Sequence, residues 1–256
     1  MPAQSRTAPY TPFYCEENVY QLLASLEGSP RFSRSFAVFV SNLQRRALLF
    51  QQQASRQGAD QGHYVLWDYH VVAVAVERDG GGDGSRVRRS ERVVVLDRDS
   101  RLGDAVPLQD YVLETFRPDL FDAGVVDPSL RSRFRVVPAQ DFLANFASDR
   151  SHMLVPPFTA LDAAPLPSLP QPAAADAASA ALPSHAPSLP QYIKPIPPYP
   201  AICGALAAKR GETHNLWTRF LDMRLPRERN EAEARVEEGG FGTVLEGAGE
   251  LLAYPW

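Results

Sequence analysis

The sequence has 256 residues, 45% of them hydrophobic and 22% charged, with 26 Lys and Arg against 30 Asp and Glu and a formal net charge of -4. This excludes wholesale disorder, and the acidic balance argues against broad binding to a phosphate backbone. Two cysteines, Cys15 and Cys203, are too few for a disulfide scaffold or a four-cysteine zinc site, and no apolar run approaches the roughly 18 residues of a membrane helix.

In chain order, the first residues, MPAQSRTAPYTPFY, lack the apolar stretch of a secretory signal. A cytoplasmic protein, or one also found in the nucleus, with reduced thiols and no membrane or nucleic-acid partner is therefore expected. From Cys15 the segment CEENVYQLLASLEG places Val19, Leu22, Leu23 and Leu26 at helical spacing, with Gly28 as a stop. The helix should begin within a residue or two of Cys15. FAVFV (36–40) reads as a buried strand and 43–53 as a second helix.

YVLWDYHVVAVAV (64–76) reads as one long strand. Alternation puts Leu66, Asp68, His70, Val72 and Val74 on one face, and Trp67, Tyr69, Val71 and Ala73 on the other. A glycine-rich turn, DGGGDGS (79–85), then leads to a strand RVVVLD (92–97), which makes a hairpin. That turn lacks the phosphate-loop pattern. Short strands are expected at 133–137 and 242–245, and a helix at 141–147. Helices at the start and strands after them indicate an α+β fold with a largely antiparallel sheet.

Of 23 prolines, 13 lie between Pro156 and Pro200, and residues 163–190 are almost only Ala, Pro, Ser and Leu. Such a stretch cannot bury enough apolar area to offset the entropy of ordering it. A single catalytic domain, 1–256, interrupted by a flexible insertion at about 158–192, is the expected organisation. The competing reading, a docking segment for proline-binding modules, rests on PxxP-like spacing that recurs by chance in such composition.

The hairpin allows a geometric test. If its centre lies between Asp83 and Gly84, paired positions sum to 167 and His70 faces Asp97. Opposed Cβ atoms lie about 4.5–5.5 Å apart, within reach of an imidazole–carboxylate hydrogen bond. A slip of two residues places Asp99 there instead, on the same face. Cys15, at a helix start, would be a suitable nucleophile for such a pair. The macrodipole and a neighbouring imidazolium lower a thiol pKa, whereas Glu16 and Glu17 raise it. Against this stand the plainer roles: a small buried hydrophobe for the cysteine and a satisfied core residue for the histidine.

The strings YCEENVYQLL (14–23), FAVFVSN (36–42), WDYHVV (67–72), LDRDS (96–100), FRVVPAQDFLANFASDRSHM (134–153) and PPYPAI (197–202) occur in this order. In this the chain resembles the protein N-terminal glutamine amidohydrolases, whose hallmark is WDYHV. The resemblance covers most of 10–153 and resumes near Pro197; the insertion after Met153 and the extended glycine turn depart from it. It implies a papain- or transglutaminase-like thiol hydrolase fold, with an N-terminal helix carrying the nucleophile. It also implies a Cys15–His70–Asp97 triad, with no metal and no organic cofactor. The implied reaction turns an N-terminal glutamine of a protein or peptide into glutamate and releases ammonia, as a step in an N-degron pathway. Runner-up readings are a thiol protease or transglutaminase-like enzyme, and a non-catalytic adaptor using the Pro-rich segment.

Selectivity for a chain terminus requires a group that holds the α-ammonium, best a carboxylate. Asp68, two residues before His70, and Glu16, next to Cys15, are candidates by local geometry, and Asp149 in ASDRSHM is a third. A monomer is expected.

Overall fold

The computed structural model describes residues 8–78, 91–155, 191–229 and 240–256. The glycine turn and nearly all of the Pro/Ala-rich insertion lie outside them. The chain divides into a larger unit, Met1–Asp149 with Pro197–Trp256, and a smaller one, Arg150–Ile196. In the smaller unit, Leu154 bridges Tyr192 antiparallel, and Val155 N–H donates to Gln191 O at 2.8 Å.

All six candidate site residues belong to the larger unit. It contains α1 (Cys15–Leu26), β1 (Phe32–Ser41), β2 (Ala47–Leu49), β3 (Val65–Trp67), β4 (His70–Arg78), β5 (Glu91–Leu96), β6 (Val106–Pro107) and α2 (Leu108–Phe116). There follow α3 (Pro118–Asp122), β7 (Arg133–Pro138), α4 (Ala139–Asn145), β8 (Ala147–Ser148), β9 (Ile202–Cys203), α5 (Ala205–Lys209), a π-turn (Leu216–Phe220), β10 (Thr243–Glu246) and α6 (Ala248–Ala253). Six strands form one sheet in the order β10-β7-β1-β4-β5-β6, every neighbouring pair antiparallel. The α+β expectation with a largely antiparallel sheet holds.

Both faces of the sheet are covered, which explains why β4 reads as nearly continuous Val and Ala instead of alternating with polar residues. On one face Val71, Ala73 and Ala75 meet Val19, Leu22, Leu23 and Leu26 of α1 and the Phe142–Phe146–Phe220 cluster. Alanine at 37, 73 and 75 leaves room for the helix to come close. On the other face Val72, Val74, Val76 and Val95 meet Tyr111, Val112 and Phe116 of α2.

Three local expectations are corrected. Residues 43–53 are not a helix. The buried Asn42 amide ties a turn, accepting from Gln44 N (3.1 Å) and Arg46 N (2.9 Å) and donating to Arg46 O (2.7 Å). Ala47–Leu49 then pairs with β3 in a separate two-stranded sheet. Residues 64–76 are two strands, not one. The chain breaks at Asp68–Tyr69, where Asp68 Oδ1 accepts from Tyr69 N (2.9 Å) and Ser41 Oγ donates to Asp68 O (2.6 Å). Finally, β4 and β5 pair with positions summing to 169, as in Val74 with Val95, and not 167. The turn composition did not specify how many residues the loop spends, and the ladder sits two residues from the expected register.

Candidate active site

The site lies where α1 begins, over the start of β4 and the end of β5. Cys15 is the first residue of α1, and the approach to it is fixed by Asn18. That buried amide accepts from Thr11 N and donates to Thr11 O, both at 2.8 Å. In the observed register His70 would face Asp99, and Asp97 would face Val72. Asp97 nevertheless reaches back along the face: His70 Nε2 to Asp97 Oδ1 is 3.1 Å, with both side chains almost fully buried. The expected pair forms, but diagonally.

Asp97 is held by two further donors. The Asp99 N–H donates to Oδ1 at 3.0 Å and the Tyr111 hydroxyl to Oδ2 at 2.7 Å. Burial alone would raise the Asp97 pKa, but His70, Tyr111 and the Asp99 amide outweigh it and leave the carboxyl below its ordinary 3.8. Burial opposes charging of His70, yet the Asp97 charge and hydrogen bond, with Asp99 and Glu16 farther out, hold the imidazole above its ordinary 6.5. Trp67 stacks on the imidazole at 5.7 Å and 17°. The sequence had placed Trp67 on the opposite face; the break at Asp68 brings it round. His70 Nδ1 is buried and has no hydrogen-bond partner among the described residues. It is the nitrogen left to serve a reacting group.

Cys15 is buried and its Sγ donates to Glu16 Oε2 at 3.6 Å, an oxygen that also accepts from the Tyr69 hydroxyl at 3.1 Å. No hydrogen bond joins Cys15 to His70 among the described residues. Of the opposing influences on the thiol, those that raise its pKa prevail. Burial, then Glu16, Asp99 and Asp68, push it well above 9.0, with the Val71 N–H opposing them. Cys15 shares a narrow cleft with Asn18, Val71, Asp97 and Asp99, a cavity of about 10 Å³ that holds about one water. Cys203 is an exposed free thiol in β9.

The three candidates for holding an ammonium separate in space. Glu16 is fully buried at the thiol. Asp68 is exposed, in the strand break and not on a strand face with His70. Asp149 Oδ1 pairs with His214 Nδ1 at 3.2 Å. Asp99 forms part of the same acidic surroundings, accepting from the Tyr10 hydroxyl at 2.5 Å. Burial and Asp97 raise its pKa against the opposing pull of His70, Tyr10 and Arg98.

Ligand atoms of His70, Asp97 and Asp99 lie within 4.8 Å of one another, a spacing a metal ion could use. The donor set fits one poorly, because Asp97 already accepts three hydrogen bonds across its two oxygens. Sequence reasoning missed Tyr111 and Trp217. For Tyr111 a signal existed, since Leu108, Tyr111, Val112 and Thr115 fall at helical spacing. Trp217 sits in a π-turn with no such pattern, and its ring meets Tyr69 edge-on at 5.4 Å.

No helix among the described residues is long and apolar enough to cross a membrane. A family model described as N-terminal glutamine amidase matches residues 10–248. The chain is similar to the protein N-terminal glutamine amidohydrolase of Caenorhabditis briggsae, 37% identical over 149 residues that make up 58% of this chain and 70% of that one. It is 37% identical to the protein of the same name from Oryza sativa subsp. indica over 148 residues, 56% of this chain and 58% of that one. The corresponding figures for Drosophila melanogaster are 38% over 149 residues, 57% and 64%. The matched stretch is thus under two thirds of two of these three relatives.

Proposed function

The chain belongs to the N-terminal glutamine amidase family, and from that premise we propose that it deamidates the side chain of N-terminal glutamine on proteins and peptides through Cys15, His70 and Asp97. The observation that carries the mechanism is the buried His70–Asp97 pair, its free Nδ1 directed away from Asp97, beside a cysteine at a helix start. Cys15 Sγ gives its proton to His70 Nδ1 and attacks the carboxamide carbon. The C–N bond breaks as His70 returns that proton to the departing ammonia, leaving a thioester. His70 then takes a proton from water, the hydroxide adds to the thioester, and glutamate leaves as the thiol reforms. Asp97 holds the imidazole tautomer that this exchange needs. Sγ must turn from Glu16 towards His70, a tightening that substrate binding often brings about.

A helix-borne cysteine above an antiparallel sheet, with histidine on a central strand, agrees with a papain- or transglutaminase-like architecture. The acidic surroundings suit a substrate that arrives with a free ammonium, and Glu16, 3.6 Å from Sγ, is the best-placed carboxylate to hold it, ahead of Asp68 and Asp149. An ammonium there would also offset the charge that keeps the thiol protonated. The enzyme would act as a monomer in a reducing compartment, cytoplasm or nucleus, where Cys15 and Cys203 stay as thiols.

The test is mass spectrometry on a Gln-first peptide and its N-acetylated copy. Wild type should convert amide to acid on the free peptide and ignore the acetylated one, and Cys15→Ala, His70→Ala and Asp97→Asn should be inactive or nearly so. Cleavage would instead indicate a protease, and amine incorporation a transglutaminase. Glu16→Gln removes a negative charge beside Sγ, so its thiol should titrate lower and alkylate several-fold faster with iodoacetamide at neutral pH. The same variant should raise KM for the free peptide.

A further inference from the structure

A second concavity is lined by Trp217, whose ring meets Tyr69. Its lining includes Asn42, Arg45, Trp217, Asp222 and Arg224, and its volume, about 510 Å³, is in the range of ligand-binding clefts. A larger groove of about 720 Å³ lies against the last residue of α1, Leu26. That is the opposite end of the helix from Cys15, roughly 16 Å along it. The smaller groove is linked to the nucleophile by a chain of side-chain contacts. Arg45 lies over the Trp217 ring at 4.3 Å, Trp217 meets Tyr69 at 5.4 Å, and the Tyr69 hydroxyl shares Glu16 Oε2 with Cys15.

The charges of the two places are opposite. Around the thiol stand Glu16, Asp68, Asp97 and Asp99, against one lining cation, Arg98. In the groove, Asp222 is matched by Arg224 through two contacts of 2.9 Å, while the exposed guanidinium of Arg45 has no carboxylate partner among the described residues. Two arginines and one aspartate leave the lining with one net positive charge. Arg45 is also held in place. Its own φ is +54°, and the turn that carries it is tied by Asn42, whose amide further donates to Ser129 O at 3.0 Å. A cation fixed on a rigid turn over an aromatic ring is pre-organised for an anionic group.

We propose that this groove is the subsite for the substrate residues following the glutamine, and that Arg45 makes it favour an acidic side chain there. The inference rests on the deamidation reading: a peptide whose ammonium and first side chain occupy the acidic end must leave by a solvent-open path, and Trp217 of this groove packs on Tyr69 beside the thiol. The substrate class it names is Gln-first chains with Asp or Glu at the second or third position.

The experiment compares Gln-first peptides that differ only there, carrying Glu, Ala or Lys, with wild type, Arg45→Gln and Arg45→Lys. Wild type should favour Glu over Lys by about five-fold in kcat/KM, mostly through KM and less at high salt. Arg45→Gln should bring that ratio near unity, and Arg45→Lys should keep part of it. Equal use of the three peptides by wild type, or an undiminished preference in Arg45→Gln, overturns the proposal. The same peptides titrated against Cys15→Ala protein by calorimetry give a binding ratio that needs no turnover. If no peptide is deamidated, the parent reading fails, while a Glu-over-Lys binding preference abolished by Arg45→Gln still upholds the groove, and its absence sinks it.

Discussion

Tyr111 donates to the one oxygen of Asp97 that His70 does not use, and it does so from a fully buried position on α2. Burial and the Asp97 charge raise its pKa well above 10.0, so it stays a donor throughout any working pH range. Its effect on chemistry is indirect: it sets the carboxylate plane, and thereby which oxygen meets His70 Nε2. Tyr111→Phe keeps the ring but leaves a buried acceptor without its donor, a cost of about 1–3 kcal/mol. The expected result is a urea midpoint lowered accordingly and a kcat reduced roughly tenfold, with KM nearly unchanged. A kcat within twofold of wild type would show that the backbone N–H of Asp99 suffices to orient Asp97. At this scale the sequence carried a great deal. The motif strings named the cysteine, histidine and aspartate directly, and the pairing of the last two was recovered even though the register was off by two. What it could not carry was the thiol environment, because the charges of Asp68 and Asp99 reach Cys15 only through the fold.

Among the elements, the legible ones were those with strong local period, α1, β1, β5, β7 and β10, each found within a few residues of its expected place. The failures share a cause. Both 43–53 and 64–76 have compositions compatible with one regular element, and both are interrupted by a short side-chain–backbone bond, from Asn42 in the first and Asp68 in the second. Such Asx bonds compete with regular structure and leave no periodic trace. Their consequence is functional, since the break at Asp68 is what turns Trp67 onto His70, and the Asn42 turn presents Arg45. Asn42→Ala deletes an amide that accepts two and donates at least two hydrogen bonds in a buried site. The expected loss is about 2–3 kcal/mol by urea unfolding. The folded variant should also show a weaker preference for acidic second residues, because the turn under Arg45 is loosened. Unchanged stability would mean that β2–β3 pairing alone maintains the turn.

Across the larger unit, Arg135 is a buried residue that ties the C-terminal part of the chain to the sheet. It lies on β7, is only 1% exposed, and donates from Nη1 to Phe241 O at 3.0 Å and from Nη2 to Asp222 O. Burial lowers its pKa to about 10, with Asp222 opposing, so it remains charged at neutral pH. One of the carbonyls it binds belongs to Asp222, which lines the groove with Trp217. Nothing periodic in the sequence announces this, because Arg133 and Arg135 alternate with Phe134 and so read as solvent-facing positions, and the pairing joins residues about a hundred positions apart. Arg135→Met fills the space but leaves two carbonyls without a donor. Relief of the buried charge offsets part of that loss, so the net cost should be about 2–4 kcal/mol. Arg135→Lys should not restore stability, since a single ammonium lacks the planar fork that spans both carbonyls. Gly240 supplies a second route to the same end, because a Cβ there would come within 2.9 Å of the Arg135 guanidinium carbon and 2.1 Å of Arg219 O. Gly240→Ala and Arg135→Met should therefore both accelerate amide hydrogen exchange in 216–225, while α1 and β4 keep their protection. Activity should fall through KM, because the groove deforms while the His70–Asp97 pair, held by β4, β5 and α2, does not. Equal loss of protection in β4 would place Arg135 in the global core instead, and unchanged exchange in 216–225 would refute the anchoring role altogether.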